Sequence, residues 1–232
     1  MMKYSTMTFI AGILLIIATI TNGCVPPTDS TQPGKPKTVN ELKAVEIKEY
    51  EGKKLSSVSD FRENSIRGPQ YIKIDNYKLQ VAGQVDNSKE FSYDEFLNNF
   101  DSYKKVVTLD CVEGWSATIL WEGKLLKDVF ADIVPSANAS IVIFHSYDGY
   151  TTSLPLDYIM KNDIMLAHKM NDVILPAERG FPFTLVAESK WGYKWIKWVT
   201  KIELSDDVNY RGYWESRGYS NTADLDKGFF GD

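Results

Sequence analysis

The segment VVTLDCVEGWSATILWEGKLLKDV, residues 106–129, constrains this chain more than any other. It opens on Val106-Val107-Thr108-Leu109, a β-branched apolar run of the kind that forms a buried strand. The run stops at Asp110-Cys111, and the chain then turns through Glu113-Gly114-Trp115. A cysteine is thereby set where a strand ends and a loop begins, and loops carried on rigid strands are where sites are built. Taken alone, Cys111 is either a small buried hydrophobe or a reactive thiol. The chain has 2 cysteines, and the other, Cys24, belongs to an N-terminal targeting segment. A leftover cysteine in an exported domain is a candidate reactive thiol or metal ligand, and its thiolate is a soft ligand suited to transition metals.

The targeting segment is read from its own pattern. Lys3 precedes an apolar run, residues 7–20, interrupted by Thr8, Gly12 and Thr19. That is shorter than the roughly 20 residues a membrane span needs, and it fits the apolar region of a signal peptide. Thr21-Asn22-Gly23-Cys24 follows, a small residue before a cysteine as at a lipoprotein processing site, with Thr21 where an aliphatic residue is usual. Residues 1–24 are therefore expected to be a signal peptide with Cys24 as its lipidated end. The mature chain would sit on the outer face of the cytoplasmic membrane. Residues 25–54 are expected to be a flexible tether, rich in Pro, Ser, Thr and Gly as far as Val39. A short helix or strand within residues 40–50 is left open.

The main domain is expected over residues 55–222, with residues 223–232 as a tail. A strand ends at Gly83, and Ser92-Tyr93-Asp94-Glu95 is a capping box opening a short helix with Phe96 and Leu97 on its apolar side. Residues 125–133 make another short helix. Ile141-Val142-Ile143-Phe144 is a buried-type strand delivering His145 and Ser146 to its end. Further strands are expected over residues 151–155, 164–167 and 184–186, with a helical turn at 157–160 and a tight turn at Asn171-Asp172. A last strand is expected over residues 195–204, with Ile196, Trp198, Thr200, Ile202 and Leu204 on one face. Many short strands with few helices argue for an α+β fold. A net charge of −5 and a pI of 5.2 give no basic surface for nucleic acid.

Asp110-Cys111-Val112-Glu113-Gly114-Trp115-Ser116, followed by Trp121-Glu122-Gly123 and Leu125, resembles the molybdenum-ligand segment of the sulfite oxidase-like molybdopterin-dependent oxidoreductases. It is most similar to the branch containing the catalytic subunit of periplasmic protein-methionine-sulfoxide reductase. Asp148-Gly149-Tyr150, Leu154-Pro155-Leu156, Gly192-Tyr193-Lys194 with Lys197-Trp198, and Gly212-Tyr213-Trp214-Glu215 follow in the family's order. The resemblance covers residues 58–222. It implies a mixed, barrel-like sheet domain that binds a molybdenum-molybdopterin cofactor. Cys111 would be the protein ligand to the metal and the catalytic residue. Ser146, Trp195, Ile196, Lys197 and Asn64 would touch the pterin, with Lys197 on its phosphate. The family's arginine for that phosphate is replaced by Thr184, and Arg179 is a candidate substitute. His145 is a candidate cofactor or substrate contact, His168 a structural or exposed residue, and Trp191, Trp195, Trp198 and Trp214 are candidates for a cleft or a core.

The resemblance further implies two-electron oxygen-atom transfer, in the direction of reducing a sulfoxide or similar oxide, small or protein-bound. No Cys-x-x-Cys-His haem motif is present, so electrons would come from a separate partner, and a membrane-embedded donor suits an anchored domain. The alternative is a cofactor-free lipoprotein of the same fold, acting as a binding or interaction module.

Overall fold

The computed structural model describes residues 37–231. The expected signal peptide, Cys24 and the tether as far as residue 36 lie outside them. Among the described residues no helix is long and apolar enough to cross a membrane.

The described chain begins with α1 (Val39–Leu42) and a small hairpin of β1 (Glu49–Tyr50) and β2 (Lys53–Lys54). Then come β3 (Leu79–Gly83), β4 (Lys89–Phe91), α2 (Tyr93–Asn99), β5 (Tyr103–Asp110), β6 (Ser116–Leu125) and α3 (Leu126–Ile133). β7 (Ile141–Ser146), β8 (Thr151–Pro155), α4 (Leu156–Lys161), β9 (Met165–Met170), β10 (Val173–Ile174), β11 (Thr184–Val186) and β12 (Val199–Ser205) complete it. Two five-stranded sheets result. One has the order β10-β9-β6-β5, with β11 also paired to β9; the other has the order β4-β3-β12-β7-β8. All pairings are antiparallel except β12 with β3. This is the expected α+β class, with mixed sheets and short helices.

Local sequence explains most elements. Ser92 caps α2, its hydroxyl accepting from the Glu95 amide while the Glu95 carboxylate accepts from the Ser92 amide. Phe96 is buried on that helix. In α3, Leu126, Val129, Phe130 and Ile133 recur at helical spacing and are all buried. One apolar cluster joins them to Val81, Phe144, Ile202 and Leu204 of one sheet and to Ile119, Met165, Ala167 and Leu185 of the other. Asn171 and Asp172 take positive φ values of 47° and 61°, the paired left-handed turn that closes β9 onto β10.

Three expectations are corrected. The tether was expected to reach residue 54, but Leu42, Glu46 and Ile47 within it are held on the domain. Leu42 belongs to the core cluster, and the Glu46 carboxylate accepts from the Val58 amide at 2.8 Å and the Asn171 side chain at 3.0 Å. The tail is likewise packed: Ala223 is buried, its carbonyl accepts from the Trp191 amide at 2.9 Å, and Phe229 lies edge-on to Trp191 at 5.6 Å. The last strand begins only at Val199, because Trp198 takes φ 53° and breaks the extended backbone.

Candidate functional site

The cysteine sits in a hairpin loop. β5 and β6 pair down to Asp110 and Ser116, leaving Cys111 to Trp115 as the connection. The Cys111 amide donates to the Trp115 carbonyl at 2.9 Å, and the Gly114 amide donates back to the Cys111 carbonyl at 3.0 Å. Gly114 has φ 81°, the left-handed conformation that closes so tight a loop. The thiol is buried and makes no disulfide. Burial pushes its pKa up, partly offset by the backbone amides of Glu113 and Val112 and by the charge of Arg62.

Ser146 ends β7, Thr184 opens β11, and residues 195–198 lead into β12. These ends and the segment around residues 61–66 line a cavity of about 480 Å³, a size ordinary for cofactor sites. Asn64, Cys111, Ser146, Arg179, Trp195, Ile196 and Lys197 all line it. Residues 195–198 form no strand, and this lets the last three reach the same cavity. In a strand, Trp195, Ile196 and Lys197 would alternate between faces; here all three reach one cavity. Trp198 and Trp214 line it too, whereas Trp191 does not.

The polar groups are distributed unevenly. The Ser65 and Ser146 hydroxyls and Glu178 Oε2 are buried without a hydrogen-bond partner. Lys197 Nζ pairs with Glu63 at 2.7 Å, donates to the Glu178 carbonyl at 3.4 Å and lies 4.4 Å from the Trp198 ring centre. Burial lowers its pKa, and Glu63 works against that shift. Arg179 Nε donates to the Val58 carbonyl at 3.0 Å and Nη2 to the Phe61 carbonyl at 2.9 Å. Thr184 Oγ1 donates to the Ile196 carbonyl at 3.1 Å. Asn64 donates to Glu113 at 3.1 Å, and Trp115 Nε1 to the same carboxylate at 3.2 Å.

His145 does not line the cavity; its Nε2 meets Glu203 at 2.8 Å. His168 is buried away from it, with Nε2 3.6 Å from Glu122 and burial lowering its pKa to about 4. Arg62, Asp148, Tyr150 and Tyr219 also line the cavity, and sequence reasoning gave none of them a role there, although Asp148 and Tyr150 stand in a motif of the resemblance. Nor did it find Glu63. These residues sit in aperiodic loops, where no hydrophobic pattern signals which way a side chain points.

A thiol that is the one cysteine among the described residues suits a soft metal, and unpaired hydroxyls in a cavity that Lys197 also lines suit a polar, anionic organic group. The fold and cavity thus define a domain with a polar, thiol-bearing pocket of cofactor size. Residues 66–214 match the family described as oxidoreductase molybdopterin binding domain, and the chain belongs to that family.

Its relatives agree. An uncharacterized oxidoreductase of Bacillus subtilis (strain 168), YuiH, is 32% identical over 157 residues, covering 67% of this chain and 78% of that protein. A putative protein-methionine-sulfoxide reductase subunit of Azospira oryzae, YedZ1, is 30% identical over 145 residues, 62% of this chain and 55% of that protein. The protein-methionine-sulfoxide reductase catalytic subunit MsrP of Xanthomonas campestris pv. campestris is 28% identical over 152 residues, 59% of this chain and 47% of that protein. The chain therefore spans about half the length of these two reductase subunits. The sulfane dehydrogenase SoxCD of Paracoccus pantotrophus shares the fold, with a TM-score of 0.59 and 20% identity over 67% of this chain and 43% of that one.

The residues present fit the family's cofactor. Cys111 offers a sulfur ligand, Ser65 and Ser146 offer two buried hydroxyls with nothing else to bond, and Lys197 offers a cation. The protein is an oxidoreductase of the molybdopterin-binding class.

Proposed function

We propose that this chain is a membrane-tethered, extracytoplasmic molybdenum-molybdopterin enzyme that reduces a sulfoxide or similar oxide. The observation that carries the reading is the meeting of Cys111, Ser146 and Lys197 in one cavity with unpaired hydroxyls. The names of the relatives from Azospira and Xanthomonas support the sulfoxide. When bound, the group would supply two-electron redox chemistry at the metal.

The chain's own residues would do the rest. Cys111 would ligate the metal from the rigid end of β5. Ser65 and Ser146 would hydrogen-bond the pterin, Glu178 would accept from its ring N–H groups, and Lys197 would face its phosphate as a point charge. Trp115, Trp121 and Trp214 line the same cavity and would exclude water around a neutral organic substrate. Electrons would come from a separate, membrane-embedded partner. Lipidation of Cys24 would hold the domain at the outer face of the cytoplasmic membrane, beside that donor.

The test is molybdenum content by mass spectrometry of the chain made in a host that assembles molybdopterin, with Cys111→Ala beside it. We expect about one molybdenum per chain, lost in the variant, and sulfoxide reduction with an artificial electron donor. No metal in either protein would refute the reading and leave a cofactor-free binding module of the same fold.

A further inference from the structure

The segment 58–64 is fastened on both sides of the cavity. Toward the cysteine loop, Asn64 donates to Glu113 at 3.1 Å, and Phe61 packs against Trp115 with ring centres 5.8 Å apart. On the other side, Arg179 holds the Val58 and Phe61 carbonyls at 3.0 and 2.9 Å, and Glu63 pairs with Lys197 at 2.7 Å. Lys197, proposed to face the cofactor phosphate, and Arg179, the candidate substitute, are thus engaged by one and the same segment.

We propose that Glu63 is a latch on the cofactor site, its carboxylate holding the Lys197 ammonium in the phosphate's place until the phosphate displaces it. This rests on the reading of Lys197 as a phosphate partner given above. A carboxylate and a phosphate crowded on one half-buried ammonium repel each other, because solvent screens them poorly there. One of the three groups must move. Lys197 is confined, its side chain 17% exposed and stacked on Trp198, whereas the Glu63 side chain is 28% exposed and water is an adequate alternative partner. The carboxylate therefore swings out, and the segment loses one of its ties on the cation side while keeping its tie to Glu113. Glu63 also keeps a buried ammonium paired while the cavity holds no phosphate, which is when an isolated charge would be most costly.

The experiment uses the full-length chain from a host that makes no molybdopterin. Inorganic phosphate is titrated, with indole fluorescence as the readout, because the Lys197 ammonium lies 4.4 Å from the Trp198 ring centre. Trypsin cleavage after Arg62 reports on the segment. We expect Glu63→Gln, and equally Glu63→Ala, to bind phosphate about tenfold more tightly than wild type, and Lys197→Met to lose binding. Phosphate should speed cleavage after Arg62 in wild type, the chain in which the cleaved bond itself is unchanged. Equal phosphate affinity in wild type and both Glu63 variants would overturn the latch, as would slower cleavage with phosphate. Molybdenum content of wild type from a molybdopterin-making host is read in parallel. If phosphate affinity answers to Glu63 but molybdenum is absent, the cofactor reading and the occupant named here fall together.

Discussion

At the scale of single residues, Thr184 and Arg179 both spend their side chains on backbone carbonyls at the cavity wall. The Thr184 hydroxyl is buried and committed to the Ile196 carbonyl, so it fixes the backbone of the cavity wall. Arg179 spends two of its donors on the Val58 and Phe61 carbonyls. Replacing it with alanine would leave two carbonyls unpaired, each costing ~1–3 kcal/mol where buried. We expect Arg179→Ala to lower the urea midpoint of the cofactor-free chain by an amount equivalent to about 2–3 kcal/mol. Arg179→Lys should restore little of it, since an ammonium cannot reproduce the fork. His168 makes a pH prediction. Burial lowers its pKa from 6.5 to about 4, so the unfolded chain takes up the proton first as pH falls. Its contribution is intact above pH 6.5 and is lost progressively down to about pH 4. A shift of that size corresponds to roughly 3 kcal/mol. His168→Gln should flatten that part of the stability-against-pH curve measured by denaturant unfolding.

At the scale of elements, what was legible followed from periodicity and capping. The α2 capping box, the apolar stripe of α3 and the buried run of β7 each announce themselves locally, and each is present. β6 was not read as a strand: Ser116, Thr118, Glu122 and Lys124 alternate with Ala117, Ile119, Trp121 and Leu125, but Leu120 and Gly123 interrupt the period and Lys124 is buried against it. The stretch before β12 misled for the opposite reason. Its residues alternate in character, yet Trp198 turns left-handed, with its indole donating to the Ala177 carbonyl at 2.7 Å. That long-range bond outweighs local preference, and no pattern within residues 195–204 records it. The cavity was legible as a set of residues through family likeness, while the Glu63 pairing is 134 positions apart in sequence and only folding shows it. β6 also carries a sharp constraint. A Cβ on Gly123 would stand 2.3 Å from the Leu166 carbonyl oxygen, at the bulge where β6 passes β9. That oxygen and the next nearest atom, Ala167 Cα at 2.6 Å, are backbone and cannot rotate away. Gly123→Ala should cost about 1–3 kcal/mol, read as a lower denaturant midpoint.

At the scale of the whole described chain, the N-terminal segment and the cavity are mechanically linked through Val58. Its amide is held by Glu46 at 2.8 Å and its carbonyl by Arg179 at 3.0 Å, so one residue joins the packed end of the expected tether to the cavity wall. Glu46 also receives Ser57, Lys48 and, at 3.0 Å, Asn171, which itself donates to the Ser56 carbonyl at 2.8 Å. Burial alone would raise the Glu46 pKa, but Lys48, Ser57, Asn171 and the Val58 amide together hold it below the ordinary value. The carboxylate is therefore a hub for four donors, at a place where the sequence, Pro-rich and polar just upstream, suggested nothing to bury. Glu46→Ala strips all four donors at once and leaves the buried Asn171 amide and the Val58 N–H short of acceptors. We expect about 3 kcal/mol of lost stability, seen in the urea midpoint. If residues 39–54 were only a tether, the same variant would leave that midpoint unchanged. The loss should also carry into the cavity: without its hold on Val58, the segment 58–64 opens more often, and trypsin should cut after Arg62 faster in Glu46→Ala than in wild type under native conditions.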